Sequence, residues 1–356
     1  MALRALAGDS VEITLITPEA EYVCRAATVQ EPFSYPEIQR YSIADIASHA
    51  GARLLTDNFR RVDLGDQTVH TTTETLPYDA LILALGATRH PLFPRALTLD
   101  DRRLEETFHT VVEDVERGNI HSLVFLMPAD GCWPVPLYEL ALMTAERAYD
   151  SSTTVDITIV TPERQPLEAF GPEASLAISA LLAERGISIE IGADPQVPTS
   201  HCVVVSPGGR EIEADLVIAL PELVGPGVRG LHSGEGGFVP VDRYCRVKGA
   251  PGVFAVGDVA DFHIKHGGLA GQQADVAASA IAQLVTGAEP TEPFNPVVDA
   301  MLLTGRDPLF LRATVVGVTG FSSQVSAQPI ASPATKISAR YLNPYLRSLG
   351  PQTPLG

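Results

Sequence analysis

Positive charge is scarce in this chain: 25 lysines and arginines stand against 43 aspartates and glutamates, for a formal net charge of −18. That balance argues against a nucleic-acid partner and against docking on anionic membrane surfaces. No run of about 18 apolar residues is present to supply a spanning helix, and no signal-peptide pattern opens the sequence. Cysteine is sparse and scattered. Cys24, Cys132, Cys202 and Cys245 form no C-x-x-C pair and no zinc-ligand spacing, so reduced thiols in a cytoplasmic protein are expected. No short-period repeat is found. What is present is a 45% hydrophobic chain of 356 residues, long enough for two well-cored α/β domains.

The most informative stretch is Gly249 to Leu284. Val253 to Val256 form an apolar run after a Pro-Gly turn, the pattern of a strand buried on both faces. Gly257 removes a side chain where that strand ends, and Asp258 supplies a carboxylate able to accept hydrogen bonds from a polyol or ribose. Gly267 and Gly268 then open an Ala-rich helix predicted to run to Leu284. A glycine pair at a helix mouth exposes N–H groups at the positive end of the dipole, a seat for a group that becomes anionic.

Strand, Gly-Asp, loop and Gly-Gly helix in this order resemble the second flavin-binding motif of FAD-dependent pyridine nucleotide-disulfide oxidoreductases. The resemblance implies that Asp258, with Gly257 before it, meets the ribityl and pyrophosphate part of FAD. It places Gly267, Gly268 and Leu269 against the flavin pyrimidine ring. Tyr78 to Thr88, YDALILALGAT, resembles the Y-D-x-L-V-L-A-T-G segment of the same family, which puts Gly86 and Ala87 beside the phosphate–ribityl arm. Leu85 stands where threonine is common, so one hydroxyl is absent. The plain alternative for both stretches is a buried strand and helix of an ordinary α/β protein.

The beginning of the chain departs from the motif. Met1 to Ala7 read as a helix fragment stopped at Gly8-Asp9, and Val11 to Thr17 as a strand. In a Rossmann unit a strand and a G-x-G-x-x-G loop precede such a helix, and none stands upstream here. The sequence therefore reads as truncated by about one strand and one loop, with weak flavin retention and poor stability as the consequences. Glu19, two residues beyond Thr17, is the candidate for the adenosine ribose; a solvated turn carboxylate is the competing reading. Arg25, after Glu21 to Cys24, is the candidate for the pyrophosphate or a surface residue.

Glu37 to Ala50 suits a helix, and the hairpin around Gly65-Asp66 follows. Residues 98–234 read as a second Rossmann-like unit: strands at 119–127, 155–161, 187–191, 202–205 and 216–220, with helices at 135–149 and 173–185 ending on Gly186. Its first strand leads into Pro128-Ala129-Asp130-Gly131-Cys132-Trp133-Pro134-Val135-Pro136, where an N–H cradle is expected. Proline has no N–H, so ordinary NAD(P)H binding is doubtful. Cys132 through Glu139 is similar to a cysteine-bearing stretch of sulfide:quinone oxidoreductases, offset by one residue. No cysteine follows Cys245 to act as its redox partner, which favours packing for Cys132. Beyond Ala288 come strands at 301–303 and 309–318, then a short apolar helix at 337–349 suited to docking on the body.

The expected fold class is α/β with two Rossmann-like FAD/NAD(P)-binding domains in three layers, plus a small C-terminal unit. The first domain is split, at 1–97 and 235–290, and missing its first strand; the second spans 98–234, and residues 291–356 form the third unit. The expected function is an FAD-dependent oxidoreductase of the sulfide:quinone oxidoreductase and type II NADH dehydrogenase branch, passing electrons from a small-molecule donor to an acceptor such as a quinone. Lys265 and His266, just before the Gly-Gly helix, either touch the flavin edge or are solvated loop residues. The rivals are a flavin-free remnant acting as a scaffold and an NAD(P)H-dependent flavin reductase with an unusual nicotinamide site. Donor, acceptor, catalytic residues and homo-oligomerisation stay open, and no metal site is expected.

Overall fold

Along the chain, helix α1 (Ala2–Ala7) leads to strand β1 (Ile13–Thr17), and β2 (Ala52–Thr56) follows a short helix at Ile43–His49. This computed structural model describes residues 1–34, 38–129, 132–287, 292–316, 320–330, 336–337 and 339–349. β1 and β2 pair in parallel, Ile13 opposite Ala52 through Thr17 opposite Thr56. An antiparallel meander (Phe59–Asp63, Thr68–Thr71, Thr75–Pro77) precedes β3 (Leu81–Leu83).

The middle stretch contributes β4 (Leu97–Thr98), α2 (Leu104–Glu116), β5 (Ser122–Leu126), α3 (Val135–Asp150), β6 (Asp156–Val160), α4 (Pro172–Glu184), β7 (Ser188–Glu190) and β8 (Leu216–Ala219). Its five strands form one parallel sheet in the order β4–β8–β5–β6–β7. The chain then returns: β9 (Val253–Ala255) pairs in parallel with β3, and α5 (Gly267–Thr286) follows it. β10 (Val297–Leu302), β11 (Leu309–Val316) and β12 (Gly320–Ser326) make an antiparallel sheet, and α6 (Asn343–Ser348) comes last.

Burial explains the layering. Four of the five β5 residues are buried, as an interior parallel strand requires. α3 is buried on most of its circumference, because β5 and β6 cover one face and the β10–β11 sheet shares the same apolar cluster on the other. Each fully buried leucine there is worth about 1.5–3 kcal/mol. The first and last stretches of the chain meet where α1 packs on α5.

Several expectations change. The helix expected over 37–50 occupies Ile43–His49; Ser42 Oγ accepts the Asp45 N–H at 3.2 Å and starts it there, while Arg40–Ser42 pairs with Glu21–Val23. Glu37 lies outside the described residues. Cys202–Ser206 does not extend the parallel sheet. It buries only alternate residues and joins Asp194–Thr199 and Arg210–Glu213 in an antiparallel sheet. The terminal helix is shorter than 337–349, since Pro344 cannot donate to an earlier turn. In the first unit, β1–β2 and β3–β9 are separate pairs: among the described residues no strand joins them, and Leu15 of β1 is 38% exposed.

Candidate functional site

All three residues of β9 are buried, and the strand runs on to Gly257, held at φ 71°. A Cβ there would stand 3.1 Å from the Ala270 Cβ, so glycine is what lets α5 pack onto the strand end. The Gly257 N–H donates to Gln273 Oε1 at 2.7 Å. Asp258 follows and lines a cavity of about 270 Å³, together with Arg25, Trp133, Glu139, His266 and Lys336. Burial pushes its carboxyl above the ordinary range, against the attraction of Lys265 and Arg89. Among the described residues no hydrogen bond reaches that carboxylate.

Lys265 is tied down: its Nζ donates to the Asp258 carbonyl at 3.1 Å and the Ala260 carbonyl at 2.7 Å, and sits 3.6 Å from the Phe238 ring centroid. Burial lowers its pKa to about 8, with Asp258 opposing. His266 is buried at the N-cap of α5, its ring 4.8 Å from that of Trp133. Burial pulls its pKa down to about 4, so the imidazole is neutral at pH 7. Both residues are therefore buried wall, and the solvated-loop reading is overturned. The two glycines of the helix mouth are demanded by packing: a Cβ on Gly267 would overlap Ile337, and one on Gly268 would meet the His266 ring at 2.8 Å.

Across the cavity, Glu139 of α3 forms a buried ion pair with Lys336, with side-chain exposures of 1% and 7%. Glu139 Oε1 also accepts the Leu303 N–H at 2.9 Å. Burial raises the Glu139 pKa even with the lysine beside it. At the other end Arg89 holds Asp101 at 2.8 Å and Arg25 approaches the same carboxylate at 4.0 Å. Among the described residues, three that line the cavity have a buried atom without a hydrogen-bond partner: Asp101 Oδ1, Glu139 Oε2 and His266 Nδ1. Each such atom costs about 1–3 kcal/mol unless something satisfies it, so this wall is built to receive a polar group.

Of the residues singled out from sequence, Arg25, Asp258 and Gly267 meet on this cavity, and Cys132 lines it too, its Sγ 3.9 Å from the Pro128 carbonyl. Gly257 and Gly268 adjoin it along the chain, and Leu269 is buried in the main core. Gly86 and Ala87 follow β3, half-buried and away from the lining. Glu19 is exposed in the turn after β1, its N–H bonded to Thr17 Oγ1 at 3.2 Å. Sequence reasoning missed Glu139, Lys336, Arg89 and Asp101. A glutamate inside the apolar run Leu137 to Met143 was the available signal, because such a residue needs a cation, and the chain has only three lysines. A literal G-x-G-x-x-G does occur, at Gly225–Gly230, but no helix follows it. Cβ atoms on Gly225 and Gly230 would collide with the Gly237 and Val62 backbones, so it is a packing device.

Residues 138–280 match the pyridine nucleotide-disulphide oxidoreductase family. That match covers less than half of the chain. Over 296 residues it is 25% identical to a type II NADH:quinone oxidoreductase of Mycobacterium tuberculosis, covering 72% of this chain and 63% of the relative. Over 196 residues it is 28% identical to oxidoreductase ptaL of Pestalotiopsis fici, covering 52% and 49%. The chain thus spans about half to just under two thirds of the length of these relatives. In fold it is similar to the sulfide:quinone oxidoreductase of Aquifex aeolicus, at TM-score 0.81 and 17% identity over 92% of this chain and 83% of that one. A ferredoxin reductase of Rhodopseudomonas palustris superposes at TM-score 0.67 and 18% identity, over 91% and 84%. The mixed α/β architecture with parallel Rossmann-like sheets is the one these structures share.

Proposed function

We propose that this chain is an FAD-dependent oxidoreductase whose redox site is the cavity between β9–α5, α3 and the Lys336 segment. The observation that carries this reading is Asp258: a half-buried carboxylate directly after an interior strand, without a hydrogen-bond partner among the described residues, beside the mouth of α5. Such a group fits the hydroxyls of a ribityl chain. Asp258 and Arg25 would hold the flavin, with Gly257 and the first N–H groups of α5 beside it. Bound FAD supplies two-electron and one-electron transfer between a donor and an acceptor.

The chain's own residues set the surroundings. The α5 N-terminus favours negative charge by about 0.3–1 kcal/mol, more when partly buried. Neutral His266 lines the cavity, its Nδ1 buried and without a hydrogen-bond partner among the described residues, and the Glu139–Lys336 pair keeps a second proton-exchanging group on the opposite wall. Trp133 and the apolar residues Leu99, Leu140 and Leu223 exclude water between these poles. The quinone-linked names of the relatives suggest a small organic acceptor, and the donor is left unnamed.

A flavin-free remnant is the second reading, favoured by two observations: the Gly257 N–H is already spent on Gln273, and Ile337 covers Gly267. FAD titration of the full chain, followed by quenching of the single tryptophan, decides between them. Saturable binding supports the flavoenzyme, and no quenching up to about 1 mM FAD supports the remnant.

A further inference from the structure

The superfamily's name, and the NADH-linked name of one relative, direct attention to the β5–α3 turn as a nicotinamide dinucleotide seat. Such a seat needs free N–H groups at the helix start for the pyrophosphate and a carboxylate after the next strand for the ribose. Among the described residues both are curtailed. Pro134 and Pro136 have no N–H, and the Leu137 N–H is bonded to the Pro134 carbonyl at 2.9 Å. Trp133 stands in front of the helix, packed between Phe170 at 5.6 Å and His266 at 4.8 Å.

The acid after β6 is Glu163, and it is fully engaged from inside. Its Oε2 accepts the Tyr138 hydroxyl at 2.7 Å and the Thr161 hydroxyl at 3.1 Å, and its Oε1 accepts the Glu168 N–H at 3.2 Å. Tyr138, on the first turn of α3, has no exposed surface. Arg164, the cation nearest to a 2′-phosphate position, is exposed and paired with Glu168 at 3.2 Å. A carboxylate that already accepts three hydrogen bonds has little acceptor capacity left for a ribose.

We infer that the middle unit is not a nicotinamide dinucleotide site: Trp133, Pro134, Pro136 and the Tyr138–Glu163–Thr161 network occupy, with the chain's own side chains, the places where pyrophosphate and ribose would sit. This bears on the donor for the proposed flavoenzyme and excludes NADH and NADPH docking there. It does not depend on flavin being bound.

Calorimetric titration of the full chain with NADH and with NADPH tests it, on samples that show a cooperative thermal transition. The expected result is no saturable heat up to 1 mM of either nucleotide, and no saturation-transfer signal on the nicotinamide ring protons. Saturable binding of either nucleotide with a Kd below about 1 mM overturns the inference, most directly if Glu163→Ala weakens it. FAD titration of the same sample reads the function proposal separately, so failure of one is distinguishable from failure of the other.

Discussion

The chain builds the same strand–turn–helix unit twice and finishes the two in opposite ways. At β5–α3 the turn is filled with proline and tryptophan, and the acid after β6 is saturated by Tyr138, Thr161 and the Glu168 backbone. At β9–α5 glycine stands at both ends of the connection, at 257 and at 267–268, and among the described residues the half-buried Asp258 carboxylate, buried His266 Nδ1 and, across the cavity, Glu139 Oε2 have no hydrogen-bond partner. A Rossmann-like topology therefore does not show which half takes a ligand. The carboxylates after the two strands do: Glu163 after β6 accepts three hydrogen bonds from inside, and Asp258 after β9 accepts none among the described residues.

The comparison breaks most visibly at the Glu139–Lys336 pair on the open side. Glu139→Ala or Lys336→Met should each cost about 3–5 kcal/mol in urea unfolding, because each leaves an uncompensated buried charge. The double variant Glu139→Leu/Lys336→Met should return to within about 2 kcal/mol of the parent. If the single variants are silent, the pair is not the buried one described.

His266 gives the next largest effect, as a pH dependence. Its folded pKa of about 4 lies below the ordinary 6.5, so its contribution is complete above pH 6.5 and is lost as pH falls through about 4. The loss is up to about 3 kcal/mol from a shift of roughly 2.5 units. Unfolding free energies of the parent should fall more steeply over that window than those of His266→Gln. Parallel profiles would show that His266 is not held neutral in the fold.

Much of this architecture was legible because local signals agreed. The apolar run into Gly257-Asp258, the Ala-rich helix beginning at Gly267 and the αL cap at Gly186 all appear as read. What the sequence did not disclose is long-range pairing. Glu139 and Lys336 are 197 residues apart, and Arg25 meets Asp101 from a distant part of the chain. Propensity and periodicity carry no term for such contacts. The packing demand at Gly267 was hidden for the same reason: Ile337, which a Cβ there would meet, lies 70 positions downstream.

On the closed side Glu163→Ala should cost about 1–3 kcal/mol by orphaning the Tyr138 and Thr161 hydroxyls, and Glu163→Gln less, since an acceptor remains. Thermal melts of the two variants check the order. Equal losses would mean that the carboxylate's charge, and not its acceptor role, closes the pocket.

The central claim is that the two halves differ in ligand demand, and FAD affinity measured in parallel on Asp258→Ala and Glu163→Ala tests it most directly. Asp258→Ala removes hydrogen bonds to a charged acceptor worth about 1.5–3 kcal/mol. It should weaken FAD roughly 10- to 150-fold while leaving stability within about 1 kcal/mol, because the carboxylate has no protein hydrogen bond to lose. Glu163→Ala should lower stability and leave FAD affinity within about twofold, a difference under 0.5 kcal/mol. Equal FAD affinity in the parent and Asp258→Ala, or a larger loss in Glu163→Ala, would contradict the account.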